Sequence, residues 1–467
     1  AFPMSPGTEF NVELIKRYDG VGPRYTSYPT APQFSPQFDG KAFINAIKDS
    51  NQDPIPRALS LYAHIPFCFS PCFYCGCNRI ITRDEAKKQA YLEHLLQEIA
   101  LIAPYFDSDR EVVQLHLGGG TPNSLNTGQL AQLIRKFSAS FRFAPESERE
   151  FSIEIDPRTV SVGDIAAMRD MGFNRVSLGI QDFDADVQQA INRHQDIEKI
   201  TAIFEACKAN GFHSINFDLI YGLPMQNLAG FRKTLETVSR LRPDRIALYS
   251  YAHMPELFKA QNRIDVLTLP NPALKLELFQ TAVEFLIGHG YTYIGMDHFA
   301  LPNDELSIAQ RNGDLHRNFM GYTTRKQPDL VGFGVSSISQ IADSFSQNAK
   351  DLTSWTQRID SGTPATVRGM NTTRDDQIRA EVIQQIMCQG QVRFEDIEQR
   401  FEIDFGAYFR DELGRFSELI QDGLLTLDAK RLQVLPAGRL LLRVIASRFD
   451  AYLSGSKAQA IAMPKAL

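Results

Sequence analysis

The densest chemistry in the chain lies between Leu61 and Asn78, LYAHIPFCFSPCFYCGCN, where Cys68, Cys72 and Cys75 stand in the spacing C-x3-C-x2-C, with Tyr74 between the last two and Cys77 just beyond. Three thiolates on one short loop can hold three corners of a [4Fe–4S] cube and leave the fourth iron without a protein ligand. An open iron is a place for chemistry. A zinc site or a disulfide knot is the other use of clustered cysteines. Zinc sites pair two C-x2-C knuckles or add histidines at matching spacing, and no second knuckle is present. His64 falls on the strand-like run Leu59–Ile65 and reads as a packed or hydrogen-bonded core histidine. Cys207 and Cys388, isolated in helix-like segments, read as buried apolar fillers.

Further polar and flexible groups recur at the ends of strand-like runs. Leu117-Gly-Gly-Gly-Thr-Pro122 brings three glycines, Gly118, Gly119 and Gly120, followed by Thr121, and such a stretch lets backbone approach a ligand closely. Ser152-Ile-Glu-Ile-Asp-Pro157 puts Glu154 and Asp156 on one face by the period of two. Glu154 suits bidentate bonding to ribose hydroxyls, whereas Asp156 reads as a cap or ion pair for the next helix. Gly179-Ile-Gln-Asp-Phe183 offers Gln181, Arg193 follows at the end of the next helix-like stretch, and Asn216–Pro224 offers Asp218.

The elements that must position these groups alternate between short β-rich runs and helices, the mark of βα units and a parallel sheet. Strands are expected at Leu59–Ile65, Val112–Leu117, Phe151–Ile155, Arg175–Leu178, Ser214–Leu219 and Arg245–Tyr251. Helices are expected at Ala86–Ile102, Gln129–Phe141 and Asp196–Asn210. Six such units make a partial (β/α)6 barrel, with the site at the C-terminal ends of its strands. Beyond it, Pro272–His289 reads as a helix and Val331–Ile338 as a glycine-bearing β run leaning over the site. Phe394–Leu435 reads as helices with a two-strand wing.

The expected domains are residues 1–10 as a disordered stretch foreign to the fold, 11–57 as an N-terminal arm, 58–362 as the catalytic domain, and 363–467 as a mainly helical domain with a small wing. At 467 residues, with 43% hydrophobic and 22% charged, composition is that of a globular protein. A balance of 49 basic against 55 acidic residues gives a net charge of −6, so there is no electrostatic case for nucleic acid. No apolar run approaches the ~20 residues that span a bilayer, and crowded free thiols fit a reducing compartment. A soluble cytoplasmic protein is expected, as is a monomer, since no apolar repeat marks an interface.

The cysteine spacing resembles that of the radical S-adenosylmethionine (SAM) enzymes. In these the methionine moiety chelates the open iron, and reduction splits the sulfonium to a 5′-deoxyadenosyl radical. HIPFC-x3-C-x2-CGC, GGGTP, SIEIDP, GIQDF, DLIYGLP, the arm GPRYTSYPTA, YTYIGMDHFA and HRNFMGYT stand in the order seen in the oxygen-independent coproporphyrinogen III oxidases, or coproporphyrinogen dehydrogenases. The likeness runs from about Val12 to about Tyr452. It implies a radical SAM barrel with an extended sheet, one [4Fe–4S] cluster and two SAM molecules. It also implies oxidative decarboxylation of coproporphyrinogen III to protoporphyrinogen IX, in which the propionates of rings A and B become vinyl groups.

By motif, Cys68, Cys72 and Cys75 match the cluster ligands. Tyr62, Gly119, Glu154 and Ile338 match the contacts of the cluster-bound SAM; Tyr74, Gly120, Thr121, Gln181, Arg193, Asp218 and Ala252 match those of the second. The family more often has phenylalanine where this chain has Tyr74, and the added hydroxyl needs a partner if buried. A substrate with four carboxylates calls for guanidinium and hydroxyl donors, and Arg24, Tyr25 and Tyr28 on the arm, with Arg317, are candidates; a strap over the domain surface is the plainer use of that arm. The electron donor is expected to be a carrier such as flavodoxin or ferredoxin. Two rival readings are a heme chaperone and a heme-opening methyltransferase of the same superfamily. Cys77, the GPRYTSYPT arm and Thr323 at the end of HRNFMGYT, where the chaperones end in Tyr-Trp, distinguish this chain from the chaperones. The arm also separates it from the methyltransferase.

Overall fold

A computed structural model describes residues 7–20 and 22–453; residues 1–6 of the expected foreign stretch, Val21 of the arm and 454–467 of the C-terminal domain lie outside the described residues. The chain forms two compact units that interleave in sequence. One takes Phe34–Asn271 and Gln327–Asn371, the other Ala1–Gln33, Pro272–Lys326 and Thr372–Leu467. This division departs from the linear one, because the arm residues up to Gln33 join the C-terminal region while Gln327–Asn371 returns to the barrel unit. Residues 7–10 are not a loose leader: the Glu9 N–H donates to the Pro436 carbonyl (3.1 Å) and the Phe10 ring packs edge-on to Phe279.

The barrel unit is built on strands β1 Leu59–Ile65, β2 Glu111–Gly119, β3 Glu150–Ile155, β4 Arg175–Gln181, β5 Ser214–Tyr221, β6 Arg245–Ser250, β7 Asp329–Phe333, β8 Ile338–Ile341, β9 Ser344–Asn348 and β10 Thr366–Asn371. Their order is β6-β5-β4-β3-β2-β1-β7-β8-β9-β10. From β6 through β7 all neighbours are parallel, and the last three strands continue antiparallel. All six expected strands are present with β1 at its expected bounds, and the fold is the expected partial barrel with an extended sheet.

Strand side chains alternate between faces, and on β1 Leu59, Leu61, Ala63 and Ile65 form one fully buried apolar face while Ser60, Tyr62 and His64 occupy the other. The helices that cover it begin at sequence-encoded caps. Asp84, Asn126, Ser161, Asp196 and Asn227 each accept an N–H of the first turn, with full capping boxes at Asn126 and Ser161. Leu92, Leu95 and Ile99 of Glu85–Ile102, and Leu130, Leu133 and Phe137 of Thr127–Ser140, face inward. Each contributes roughly 1.5–3 kcal/mol by leaving water.

The helix Glu85–Ile102 also carries two polar ties to the site end of the sheet. Tyr91 Oη donates to the His64 carbonyl (2.6 Å) and accepts from the Val335 N–H (3.1 Å). Glu98 accepts from the Gly334 N–H (2.6 Å), Asn348 Nδ2 (2.8 Å) and Trp355 Nε1 (3.3 Å). Gly334 has φ +95°, and a Cβ there would stand 2.5 Å from Tyr91 Oη, so the turn from β7 to β8 requires glycine.

In the second unit the helices Pro272–Gly288 and Arg374–Gln389 are the longest. A core of Ile378, Val382, Ile386, Phe405, Phe409, Phe416, Ile445 and Phe449 includes Tyr25 and Tyr28 from the arm. The wing has three strands, not two, because Gln391–Arg393 pairs with Arg431–Val434 beside Leu425–Leu427. That third strand is short and polar, and no alternation announces it.

Burial pushes the Glu98 carboxyl up from 4.5 to about 8, although its three donors oppose the shift. A carboxyl raised in the folded state stabilises at low pH and loses that contribution as pH rises through the folded value. The urea midpoint of the protein is expected to fall between pH 4.5 and 8, and Glu98→Gln, which cannot titrate, to flatten that part of the slope.

Candidate active site at the strand ends

The cysteine loop leaves β1 at Ile65 and is held to the end of β2 by backbone bonds. The Gly120 N–H donates to the Ile65 carbonyl (2.8 Å) and the Thr121 N–H to the Phe67 carbonyl (2.8 Å). This leaves no room for side chains at the C-terminal end of β2. A Cβ on Gly119, whose φ is +119°, would stand 2.7 Å from the Ile65 carbonyl oxygen; one on Gly120 would stand 2.7 Å from the Pro66 carbonyl oxygen and 3.0 Å from Cys68 Sγ. The triple glycine is therefore needed for close approach and is not merely a turn. The far side of the loop is fixed by Phe73 N–H to the Ile191 carbonyl (2.9 Å), Asn192 Nδ2 to the Pro71 carbonyl (2.8 Å) and Arg79 Nη2 to the Cys72 carbonyl (3.0 Å).

All six cysteines are free; Cys68 and Cys72 are buried, Cys75 is half-buried and Cys77 exposed. Cys68 Sγ lies 3.3 Å from Thr121 Oγ1, and Cys72 Sγ lies 3.5 Å from Arg193 Nη1 and 3.7 Å from Arg158 Nη2. Hydrogen bonding with Cys77, then Arg79 and Arg193, holds the Cys75 thiol below the ordinary cysteine range against its burial. Cationic surroundings favour the thiolate, the form that ligates metal. The donor set fits a cube: three thiols on one loop, N–H donors and guanidinium groups around the sulfurs, and glycine backbone beside them. Among the described residues no three His, Cys, Asp or Glu side chains share one metal ion, and a cube asks for none, because each thiolate takes a different iron.

The remaining expected residues of the barrel unit gather around this loop in two connected groups. Tyr62, the one half-exposed residue of β1, and Glu154 close over Gly118, where a Cβ would meet both side chains at 3.1–3.2 Å. Ile338 opens β8; a Cβ on Gly332, the partner of Tyr62 in β7, would lie 2.5 Å from the Ile338 carbonyl oxygen.

In the second group Arg193 donates to the Gly179 carbonyl (2.6 Å) and pairs with Asp156 (3.5 Å), while its buried Nε has no protein partner among the described residues. A buried donor left open beside the thiols fits an anionic or polar cofactor group. Gln181 sits at φ +65°, a strained conformation for a non-glycine residue. Asp218 accepts from Asn216 Nδ2 (2.9 Å) and Ser177 Oγ (3.4 Å); burial, then the charge of Glu154, pushes it up to about 7. Tyr74 packs beside Ile191, Ile220 and Tyr251, and burial raises its hydroxyl well above the usual tyrosine range. Gln261 Nε2 ties the carbonyls of Tyr74 (3.1 Å) and Ala252 (3.2 Å) together.

Asp156 takes the role read from sequence. It accepts from the Arg158 N–H and pairs with the Arg158 guanidinium (2.7 Å). Burial would raise its carboxyl, but Arg193 and Arg158 outweigh burial and hold it below the usual range. Sequence reasoning did not find Arg158, Arg79 or Gln261. Arg158 directly follows SIEIDP, a proximity that was the available signal.

The arm residues are a correction in part. They belong to the second unit, where Tyr25 and Tyr28 are buried in the core, Tyr25 Oη donating to Asp450 (2.8 Å) and Tyr28 Oη accepting the Ala451 N–H (3.0 Å). Arg24 is ion-paired with Asp297, and Arg317 Nη1 donates to the carbonyls of Arg24 (2.5 Å) and Tyr25 (3.0 Å). Aromatic residues on an extended arm bury large apolar area, which accounts for the two tyrosines without a ligand.

Cysteine loop, glycine edge and partial barrel together define the radical SAM class of enzyme. Comparison with known proteins agrees: the Radical SAM superfamily matches residues 62–238, and the HemN C-terminal domain matches residues 372–441. The chain is 46% identical to the oxygen-independent coproporphyrinogen III oxidase of Escherichia coli over 95% of this chain and 96% of that one, and 46% identical to that of Pseudomonas aeruginosa with the same coverage. It is 44% identical to that of a Synechocystis species over 97% of both. Among solved structures, coproporphyrinogen III oxidase (HemN) from Escherichia coli, a radical SAM enzyme, superposes with a TM-score of 0.90 at 45% identity, covering 96% of this chain and all of that one. The chain belongs to the oxygen-independent coproporphyrinogen III oxidase family. No helix among the described residues is long and apolar enough to cross a membrane.

Gly120→Ala is expected to lose most of its iron and sulfide after anaerobic reconstitution while keeping the wild-type far-ultraviolet spectrum, because the new methyl group collides with backbone at Pro66 and with Cys68 Sγ. Iron content per chain checks this.

Proposed function

We infer that the chain carries out the oxygen-independent oxidative decarboxylation of coproporphyrinogen III, converting the propionates of rings A and B to vinyl groups and giving protoporphyrinogen IX. A [4Fe–4S] cluster on Cys68, Cys72 and Cys75 and two SAM molecules serve the reaction. When bound, these cofactors supply a 5′-deoxyadenosyl radical that takes a hydrogen atom from the β-carbon of a propionate, after which CO2 and one electron leave.

The residues of the chain bind, orient and exclude water. Tyr62, Gly119, Glu154 and Ile338 hold the SAM at the cluster, Glu154 accepting from ribose hydroxyls. Tyr74, Gly120, Thr121, Gln181, Arg193, Asp218 and Ala252 hold the second. What supports two sites is that residues of both sets adjoin the same loop: Thr121 is 3.3 Å from Cys68 Sγ, Arg193 is 3.5 Å from Cys72 Sγ, and Glu154 and Tyr62 close over Gly118 beside them. No side-chain acid or base is needed for hydrogen abstraction, so the contribution of the protein is positioning and a dry cavity. Arg24 and Arg317 are the proposed donors toward substrate carboxylates, the hydroxyls of Tyr25 and Tyr28 being engaged within the core. The chain works as a monomer supplied by a one-electron carrier such as flavodoxin or ferredoxin. Cys77, the GPRYTSYPT arm and Thr323 weigh against a heme chaperone.

Reconstituted protein, given a reductant, SAM and coproporphyrinogen III without oxygen, is expected to yield products that have lost the elements of formic acid once and then twice, read by mass spectrometry, and Cys68→Ser to abolish both. An untouched substrate with tight heme binding would overturn the reading.

A further inference from the structure

His116 lies on β2, three residues before Gly119, and belongs to no motif used above. Strand register puts it in one row with Tyr62 on β1 and Ser152 on β3, since Tyr62 pairs with His116 and His116 with Ser152. Side chains in one row of a parallel sheet share a face, and Glu154, two residues along β3, joins that face. The contacts follow from this placement. The His116 ring stacks on Tyr62 with centroids 5.9 Å apart and planes at 14°. Its Nδ1 lies 2.5 Å from Ser152 Oγ and its Nε2 lies 3.1 Å from Glu154 Oε1. One tautomer satisfies both contacts: Nδ1 accepts the serine hydroxyl, and the Nε2–H donates to the carboxylate.

The carboxylate needs such a tether. The Glu154 side chain is 43% exposed and the His116 side chain 17%, so the glutamate has room to change rotamer while the histidine does not. Its Oε2 takes no protein hydrogen bond among the described residues, which leaves one oxygen fixed and one presented. A ring packed between two residues and oriented by a third is the arrangement that pre-organises a binding group.

We propose that His116 is a positioning residue for the SAM bound at the cluster, fixing the Glu154 carboxylate through Oε1 and the Tyr62 ring by stacking, with Ser152 setting the orientation of the imidazole. This rests on the reading of Glu154 and Tyr62 as SAM contacts. His116 acts through Glu154 and Tyr62.

The test is SAM affinity of the anaerobically reconstituted protein by equilibrium dialysis, with the electron paramagnetic resonance change of the reduced cluster on SAM addition as a second readout. His116→Phe keeps a ring against Tyr62 but has no N–H; His116→Gln keeps a donor near Nε2. Loss of a hydrogen bond to a charged group predicts about tenfold weaker SAM binding in H116F, with unchanged iron content. In H116Q the affinity is expected to return to within about threefold of wild type. Wild-type affinity in H116F, or equal weakening in H116F and H116Q at full iron content, overturns the proposal. Should H116F fail to fold, Ser152→Ala decides: about threefold weaker SAM binding supports it and no change overturns it. Glu154→Gln separates the two levels. If it leaves SAM binding intact, the reading of Glu154 itself fails; if it weakens binding while H116F does not, only the inference about His116 fails.

Discussion

The structure depends on how closely the cysteine loop lies against the end of β2. Backbone bonds from Gly120 and Thr121 to Ile65 and Phe67 bring the two segments within a distance at which no Cβ fits at Gly119 or Gly120. Everything that surrounds the thiols is fixed by this contact. It sets Thr121 on Cys68, faces glycine backbone toward the space beside the sulfurs, and leaves the loop's other flank to be held by Asn192, Arg79 and the Ile191 carbonyl. The loop lacks regular structure of its own beyond a two-residue pairing of Phe67–Cys68 with Ile80–Ile81, so its shape is supplied by what it leans on.

Charge is arranged around that contact with the same economy. Arg193 and Arg158 face Cys72, and Asp156 stands between them, satisfying one from its own turn and the other across the sheet. The carboxylate of Asp218, proposed to contact a ligand, is treated differently. Asp218 is half-buried and bonded only to neutral partners, so its charge is weakly supported. Asp156, with two guanidinium groups, is firmly ionised. Asp156, after β3, and Asp218, in β5, thus differ in character because one is paired with cations and the other is not.

Much of this was readable from residue order. The parallel strands are visible because short β-rich runs alternate with helical stretches, and the strand-end motifs sit where a βα sheet puts its site. Ile338 was reachable only through resemblance: its placement depends on the turn at Gly334, closed by Glu98, a residue 236 positions away. His116 and Ser152 sit in runs that read as ordinary strand, and their meaning appears only when three strands are set in register. The arm is ambiguous in sequence for a physical reason. Arginine and tyrosine at an extended segment have the composition of a ligand clamp and of a core strap alike, and the partners that decide it, Asp450 and Ala451, lie at the other end of the chain.

That last separation has a consequence for how the protein is made. Several of the arm's partners are far along the sequence: Arg443 binds the carbonyls of Gly22 and Pro23, Asp450 binds Tyr25, and Ala451 binds Tyr28, across 420 to 425 residues. The barrel unit ends at Asn371 and needs nothing beyond it in sequence for its own strands. The arm therefore waits for residues 423 and 425 positions later before its tyrosine hydroxyls are bonded, and closure of so long a loop carries an entropic cost that local helices do not. Until those residues are made, the nascent chain exposes an aromatic arm whose tyrosine hydroxyls have no native partner, the kind of surface on which chaperones act.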